Sequence, residues 1–254
     1  MSATIKIDDE TRGILAAMTI DGAIAKLPPG QLARPVYDKV NKALTALGGK
    51  WNRHKGGHVF PSDPTALLQG GVERGAVENL KQKYQFFETP AALAGEMVER
   101  LGLSAGERVL EPSAGRGRLV DPCLRAGASV LAVEIWDQNT PHLLAMLSGD
   151  QVREADFLSL TPPEKLFDAV AMNPPFTGKQ AIDHIRHAWG WLRPGGRMVA
   201  ICDGGALVNQ SAKERDFQRW ADEIGAEAES LPAGTFAESG TGVTSWLFCA
   251  AKAA

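Results

Sequence analysis

From about Gln85 onward, short apolar segments alternate with segments of helical periodicity, and this alternation limits the possible folds more than any other feature. Apolar runs without polar alternation are typical of strands that are covered on both faces. Strands that alternate with helices pair in parallel, and each helix crosses over the sheet. We therefore predict an α/β chain with a doubly wound, mostly parallel sheet. Strands are expected at 107–111, 129–134, 151–157, 167–173, 197–203 and 244–251, and helices at 117–127, 179–196 and 213–226.

The first 80 residues have a less regular pattern. Residues 32–49 have the periodicity of a helix that ends at two glycines, and residues 50–61 resemble a hairpin with a Lys-Gly-Gly turn. The length of 254 residues suits one large domain with a small appendage. The sequence thus predicts a helix-plus-hairpin module over 1–80 and a larger domain over 81–254.

Polar and glycine-rich residues follow the predicted strands at the point where each strand ends. They are the glycine loop at 111–117, Glu134, Asp156, the Asn-Pro-Pro-Phe segment at 173–176, and Asp-Gly-Gly at 203–205. Ligands of open α/β sheets bind at the carboxyl ends of the strands. This edge of the sheet is therefore the predicted binding site.

The glycine loop is a strand–turn–helix segment with glycines at 115 and 117. Glycine lets the backbone approach a ligand closely, and the following helix offers free N–H groups. The spacing is not the G-x-G-x-x-G dinucleotide fingerprint. Glu134, at the next strand end, is well placed to accept hydrogen bonds from two ribose hydroxyls, although a solvated strand end would look the same.

Asn173 to Phe176 form a stiff corner directly after an apolar strand. The Asn173 amide both donates and accepts hydrogen bonds, whereas the two prolines have fixed φ and no N–H. Phe176 offers a flat apolar face. Asn-Pro also opens ordinary turns, so the segment alone does not establish a binding site.

Taken in order, "EPSAGRG", the carboxylate of Glu134, "ADF" and "NPPF" resemble the class I S-adenosylmethionine-dependent methyltransferases. Within that class, the chain is similar to enzymes that methylate N6 of adenine. "YQFFETP" at 84–90 resembles the segment that precedes their glycine loop, and the motif order is similar to their gamma arrangement. The resemblance covers about residues 84–250 and implies a seven-stranded Rossmann-like sheet, with S-adenosylmethionine as the cofactor.

The resemblance implies a role for each site residue. Asn173 and the Pro174 carbonyl would accept hydrogen bonds from a flipped adenine amine, and Phe176 would stack on the base. Residues 239–243 are either near that base or a plain turn. Thr89 and Pro90 also fit a helix start, with Thr89 as N-cap. The implied catalytic residues are Asn173, Pro174, Pro175 and Phe176, and the implied cofactor contacts are Phe87, Thr89, Pro90, Glu111, Ser113, Ala114, Gly115, Gly117, Glu134, Asp156 and Asn173.

The expected polymer substrate is DNA, and a basic cluster around Trp51 is the predicted contact surface, unless it is only a solvated face. The alternative substrates are adenine in structured RNA and the side-chain amide of a protein glutamine. Methylation of cytosine N4 is less favoured, as is an inactive nucleotide-binding module. The predicted nucleic-acid contacts are Lys50, Arg53, Lys55 and Lys179. The cluster around Trp51 consists of Lys39, Lys42, Lys50, Arg53, His54, Lys55 and His58.

Charge and composition exclude several other classes. The net charge of −3 gives no overall basic field. The segment "MSATIKIDDE" lacks the charged-then-apolar run that is typical of a signal peptide, and no apolar stretch approaches the length needed to span a bilayer. With an odd number of cysteines and no C-x-x-C spacing, we expect a reduced, cytoplasmic protein without a membrane contact. His184 and His187 lack acidic partners, so we predict an exposed helix face and no metal site.

Overall fold

In this computed structural model the chain is described over residues 4–84, 87–236 and 244–254. It divides into two compact units, residues 1–86 and 87–254. In the described parts, no helix is both long and apolar enough to cross a membrane.

The first unit combines short strands with helices. Strands β2, β3, β5 and β4 form an antiparallel sheet in that order, and β1 pairs with β6. Its elements are β1 (Thr4–Lys6), α1 (Asp9–Ala16), β2 (Thr19–Asp21), β3 (Ile24–Lys26), α2 (Arg34–Ala46), β4 (Lys50–Asn52), β5 (Gly57–Val59), α3 (Thr65–Arg74), β6 (Ala76–Glu78) and α4 (Leu80–Lys83).

The structure confirms the predicted helix and hairpin in this unit as α2 and β4–β5. It adds strands β1, β2, β3 and β6, which the sequence did not indicate. Each of these strands has only three residues, too few for a polar and apolar alternation to stand out. Val40 and Leu44 of α2 pack with Leu15, Phe60 and Val77 in a common core.

The second unit contains one seven-stranded sheet. Its strands are β7 (Arg108–Glu111), β8 (Ser129–Glu134), β9 (Val152–Glu154), β10 (Phe167–Met172), β11 (Leu192–Asp203), β12 (Glu227–Ser230) and β13 (Ser245–Ala251). Its helices are α5 (Ala91–Leu101), α6 (Val120–Arg125), α7 (Thr140–Leu144), α8 (Gln180–Trp189), α9 (Gly204–Val208) and α10 (Ala212–Glu223).

The strand order in this sheet is β12-β13-β11-β10-β7-β8-β9. Strands β9, β8, β7, β10 and β11 are mutually parallel, whereas β13 is antiparallel to both β11 and β12. The predicted doubly wound, mostly parallel sheet of seven strands is confirmed. Strand β12 was not located from the sequence, because all four of its residues are exposed and its sequence, Glu-Ala-Glu-Ser, has no apolar run.

Two apolar layers cover the two faces of the sheet. Val109 of β7 packs with helices α5 and α6, and the next residue, Leu110, packs with helices α8 and α10. Ala169 and Val170 of β10 divide in the same way. Successive side chains of a strand point to opposite faces, so a strand covered on both sides must be apolar throughout.

One helix boundary differs from the prediction. Helix α8 ends at Trp189, and the Pro-Gly-Gly segment that was expected to close it lies inside strand β11. The N–H of Gly195 donates to the carbonyls of Lys252 and Ala253, so this segment pairs with the last strand region. Proline and glycine here mark the irregular start of a strand, where the register against β10 also shifts.

Candidate active site

Three neighbouring strands end together at one edge of the sheet. Strand β7 pairs in parallel with β8, where Glu111 lies opposite Ala132, and with β10, where Leu110 lies opposite Val170. The last residue of β7 is Glu111, and the last of β8 is Glu134. Asn173 directly follows β10, so two carboxylates and an amide meet at this edge.

Glu111 is a buried carboxyl group with one unsatisfied oxygen. The side chain is 1% exposed, and its Oε1 accepts a hydrogen bond from the N–H of Ser113 at 3.2 Å. Its Oε2 has no hydrogen-bond partner among the described residues. Burial, followed by the nearby charge of Glu134, raises the pKa of this carboxyl group well above its usual value. An acceptor of this kind suits a cationic or hydrogen-bonding ligand group.

Glu134 ties the glycine loop to the next strand. Its Oε2 accepts from the N–H of Gly115 at 2.6 Å, and its Oε1 accepts from the N–H of Trp136 at 2.7 Å. Burial raises the pKa of Glu134, and these backbone hydrogen bonds oppose that effect. The Asn139 side chain and the Ile135 backbone also act on this carboxyl group, so Glu134 is held mainly by the loop around it.

The glycine loop needs glycine for conformational and steric reasons. Gly115 has φ of 54° and Gly117 has φ of 84°, in the left-handed region that other residues avoid. A β-carbon on Gly117 would lie 2.0 Å from the Cε atom of Met146. The N–H of Ala114 bonds to the carbonyl of Val133 at 2.9 Å, which holds the loop against β8.

Asn173 is held in one orientation by two acceptors. Its Nδ2 donates to the carbonyl oxygen of Phe87 at 3.0 Å and to Thr89 Oγ1 at 3.1 Å. A backbone carbonyl can only accept, so the amide nitrogen must face Phe87 and the amide oxygen must point away from it. The structure thus brings Asn173 to Phe87 and Thr89, which precede it by more than 80 residues in the sequence.

Thr89 does not cap the following helix, contrary to one of its two predicted roles. The N-cap position of α5 is Pro90, and that helix start has no side-chain capping bond. Thr89 is instead buried, with 4% of its surface exposed, and its hydroxyl oxygen accepts a hydrogen bond from Nδ2 of Asn173.

The remaining residues of the proline corner are packed to different extents. Pro174 is buried, whereas Pro175 and Phe176 are half-buried. Phe176 contacts both apolar layers of the second unit. Part of its ring surface is therefore fixed by the core, and part remains accessible.

Asp156 lies at the same edge, after β9. It is exposed, and its Oδ1 accepts from the N–H of Leu158 at 3.0 Å, which caps a short 3-10 helix at Phe157–Ser159. Sequence reasoning missed two apolar side chains here. Ile135 follows Glu134 directly and is 52% exposed, and Leu158 is 36% exposed. An apolar residue immediately after a strand-end carboxylate was the available signal.

The predicted nucleic-acid contacts fall on two different elements. Lys50, Arg53 and Lys55 are exposed on the β4–β5 hairpin, where Trp51 is 48% exposed. Lys179 precedes α8, and its Nζ lies 3.2 Å from Oε2 of Glu214.

The basic cluster is smaller than predicted. His58 is fully buried and bonds to Asn41 Oδ1 at 2.9 Å, and burial lowers the pKa of its imidazole. Lys39 pairs with Asp8 at 2.6 Å. Neither side chain belongs to a free basic surface.

The predicted exposed face at His184 and His187 is also wrong. His184 is 8% exposed, and burial lowers the pKa of its imidazole to about 4. Both imidazoles pack near the ring of Phe157, and Nε2 of His187 bonds to the carbonyl of Leu160 at 2.9 Å. Over the described ranges, no group of three or more His, Cys, Asp or Glu could hold a metal ion. Residues 85, 86 and 239–243 lie outside the described residues.

No known protein-family model matches the sequence, and no curated protein matches it either. Among solved structures, the M protein of the type I restriction enzyme EcoKI matches with a TM-score of 0.56 at 18% identity, over 76% of this chain and 52% of that protein. A modification subunit of a putative type I restriction enzyme from Vibrio vulnificus matches with a TM-score of 0.56 at 18% identity, over 89% of this chain and 54% of that protein. TrmN from Thermus thermophilus matches with a TM-score of 0.47 at 21% identity, over 64% of this chain and 48% of that protein.

The chain has the same mixed α/β fold as these two modification proteins, in agreement with the fold that the methyltransferase resemblance implies. It spans about half the length of each of them.

We predict that Glu111→Gln stabilises the fold at neutral and higher pH. A raised pKa means that the stability contributed by this group is present below its unfolded pKa and is lost as pH rises through the folded pKa. The free energy of unfolding of the variant should match wild type near pH 4 and exceed it by about 1–3 kcal/mol at pH 8. Denaturant unfolding across this range measures the difference.

Glu107→Gln is the control with the opposite sign, because Arg197 lowers the pKa of Glu107. Its loss of stability should be greatest at neutral pH and disappear in acid. If the free energy of unfolding changed with pH in the same direction in both variants, the opposite pKa shifts of Glu111 and Glu107 would be contradicted.

We predict that Gly117→Ala costs about 1–3 kcal/mol of stability, because alanine is strained at this φ, while the flexible end of Met146 can move away from the added β-carbon. Gly149→Ala is the matched control, since its added β-carbon meets nothing within 4 Å. Thermal or denaturant unfolding of both variants tests this, and equal effects would refute it.

Proposed function

We propose that this chain transfers a methyl group from S-adenosylmethionine to the exocyclic N6 amine of adenine in DNA, with the target base flipped out of the helix. The observation that carries this proposal is the orientation of Asn173. Its amide nitrogen is bound to Phe87 and Thr89, so its oxygen is presented as an acceptor at the carboxyl edge of the sheet.

An exocyclic amine of a purine is a weak nucleophile because its lone pair is delocalised into the ring. An acceptor that binds its N–H group draws the lone pair out of the ring plane and fixes its direction. Asn173 Oδ1 takes one hydrogen bond in this proposal, and the Pro174 carbonyl takes the other. The fixed φ of proline limits where that carbonyl can move. Holding the two reactants in this geometry contributes about 7–11 kcal/mol to catalysis.

The residues at the strand ends fit S-adenosylmethionine. The unsatisfied Oε2 of Glu111 suits the amino group of the methionine part, and Glu134, at the end of the next strand, lies where its carboxylate would accept from the ribose hydroxyls in exchange for part of its present hydrogen bonds. Asp156 is exposed and accessible to the adenine amine of the cofactor. When bound, the cofactor supplies a methyl group activated by its sulfonium, so neither a metal nor a strong base is needed.

The exposed apolar side chains beside these carboxylates support the same proposal. Ile135 and Leu158 offer apolar surface close to Glu134 and Asp156. The backbone of Ala155 bonds to the carbonyl of Glu134 at 2.9 Å, so the two strand ends are neighbours. A flat nucleoside needs this combination of apolar contact and acceptors.

DNA as the substrate is supported by the β4–β5 hairpin. Lys50, Arg53 and Lys55 are exposed there together with Trp51. Lysine and arginine bind phosphates regardless of sequence, and an exposed aromatic ring can stack on a base or sugar.

To test the reaction, we would incubate the protein with S-adenosylmethionine labelled in its methyl group and offer duplex DNA, ribosomal RNA or protein extract. We expect label in N6-methyladenine of DNA, and about 100-fold less of it for Asn173→Ala, because the amine loses its oriented acceptor. Gln69→Ala removes an exposed amide on α3 and should leave the rate unchanged. Label found only in RNA or in glutamine would contradict the proposal.

A second prediction concerns the hairpin. Replacing Arg53 and Lys55 by Gln should weaken DNA binding and reduce the slope of log K against log salt by about two, because two phosphate contacts are lost. Arg12→Gln removes one charge from α1 in the same unit and should leave the slope unchanged. Binding titrations over a salt series give the slopes, and unchanged slopes in the double variant would exclude the hairpin as the DNA contact.

A further inference from the structure

Lys179 has an unusual backbone conformation directly after the proline corner. Its φ is 64°, and over the described ranges it is the one residue other than glycine in the left-handed region. A β-carbon crowds the next carbonyl oxygen in that conformation, so glycine is the unstrained choice. The preceding residue, Gly178, has φ of 66° and meets this preference. A lysine in such a position indicates that its side chain is needed.

The side chain of Lys179 reaches a buried carboxylate. Its Nζ lies 3.2 Å from Oε2 of Glu214 and also donates to Oγ of Ser211. The side chain of Glu214 is 4% exposed, whereas that of Lys179 is 39% exposed. Because the side chain of Glu214 is almost fully shielded from water, this contact is stronger than an ion pair between two exposed side chains.

Glu214 is itself fixed by the segment that follows β11. It accepts from the N–H of Ser211 at 3.1 Å, as part of a capping box at the start of α10. Nδ2 of Asn209 donates to its other oxygen at 3.2 Å. The hydrogen bond from the Ser211 side chain, with those from Asn209 and Lys179, lowers the pKa of Glu214 to about 2, so the group is ionised at neutral pH.

The Lys179–Glu214 pair therefore joins a loop after one strand to the first turn of a helix after the neighbouring strand. The loop runs from β10 through the proline corner to α8, and the helix is α10, which follows β11 and α9. On this loop, the N–H of Lys179 donates to the carbonyl of Phe176 at 3.2 Å. A movement of Lys179 would thus be passed directly to the aromatic residue of the corner.

We infer that Lys179 and Glu214 are positioning residues, which hold Phe176 and the two prolines in the geometry that accepts the target amine. This inference rests on the proposed methyl transfer for its consequence, but the ion pair and its effect on the loop do not depend on that reaction. It gives Lys179 a different role from the phosphate contact that the sequence suggested.

The two roles of Lys179 predict opposite results for Glu214→Gln. A positioning pair loses its function when either partner is changed. A phosphate-binding lysine would keep its charge in Glu214→Gln and would be freer to bind DNA. Variants of both residues therefore separate the two possibilities.

For the test we would compare Lys179→Met, Lys179→Gly, Glu214→Gln and the double variant Lys179→Met/Glu214→Gln. Each should lower kcat by about 10- to 100-fold, with little change in KM for DNA or in its salt dependence. The double variant should be no worse than the Lys179→Met variant, because both changes break one contact. Lys179→Gly removes the strained β-carbon as well as the charge, so its loss of activity cannot come from backbone strain.

The matched control is Lys213→Met. Lys213 of α10 pairs with Asp183 of α8 at 2.6 Å, so this contact also connects α10 to the segment after the proline corner, but both of its partners are substantially exposed. Its kcat should stay at the wild-type value. If Lys179→Met instead weakens DNA binding and lowers the salt slope by about one, while Glu214→Gln keeps full activity, the positioning role is refuted.

A measurement without substrate separates this inference from the proposed reaction. Amide hydrogen exchange over residues 176–181 should be faster in Lys179→Met and Glu214→Gln than in wild type, with no change in the strand residues 167–172. Faster exchange in a protein that methylates nothing would support the pair and reject the reaction. Unchanged exchange would overturn the pair, whatever the activity.

Discussion

The parallel pairing of β7 with both β8 and β10 decides where the candidate site residues lie. In this register, Glu134 and Asn173 lie within two residues of the level of Glu111, so the three reach the same edge although they are far apart in the chain. No side-chain contact has to bring them together. The helices on the two faces of the sheet shield these strands from water, because alternate residues of β7 and β10 pack into the two apolar layers.

Stability and binding make opposite demands on the residues at that edge. Glu111 is an almost fully buried acid with an unsatisfied oxygen, which is unfavourable for the fold by itself. Glu134 is less costly, because backbone N–H groups of the glycine loop and of Trp136 satisfy it. Asn173 has its donors satisfied and its acceptor presented. A ligand with hydrogen-bond donors can bind to buried acceptors that have no partner in the protein. The apolar layers beneath them offset the free energy that burying these acceptors costs the fold.

The sequence predicted the fold well where the signal was local. Strands β7, β8, β10, β11 and β13 have apolar runs, whereas β9, Val-Arg-Glu, is more polar. The glycine loop and the proline corner follow the expected strands. Strand β12 could not be found in this way, because an exposed edge strand needs no apolar residues. The burial of His58 and His184 was also missed, since a lone histidine has the same local pattern on the surface and in the core. Contacts over long sequence distances, such as Asn173 with Phe87 or Lys179 with Glu214, depend on the tertiary structure, and no local pattern predicted them.

Strand β13 lies between β11 and β12 in the sheet, although it follows both of them in the chain. It pairs with β11 over seven residue pairs, from Arg197 with Ala251 to Asp203 with Ser245. A ribosome therefore produces β12 before the only strand that β12 pairs with in the described sheet. Until β13 emerges, the longest strand of the sheet has an open side that any extended peptide could occupy. The order of synthesis thus leaves the unpaired edge of β11 open to aggregation until β13 has been made.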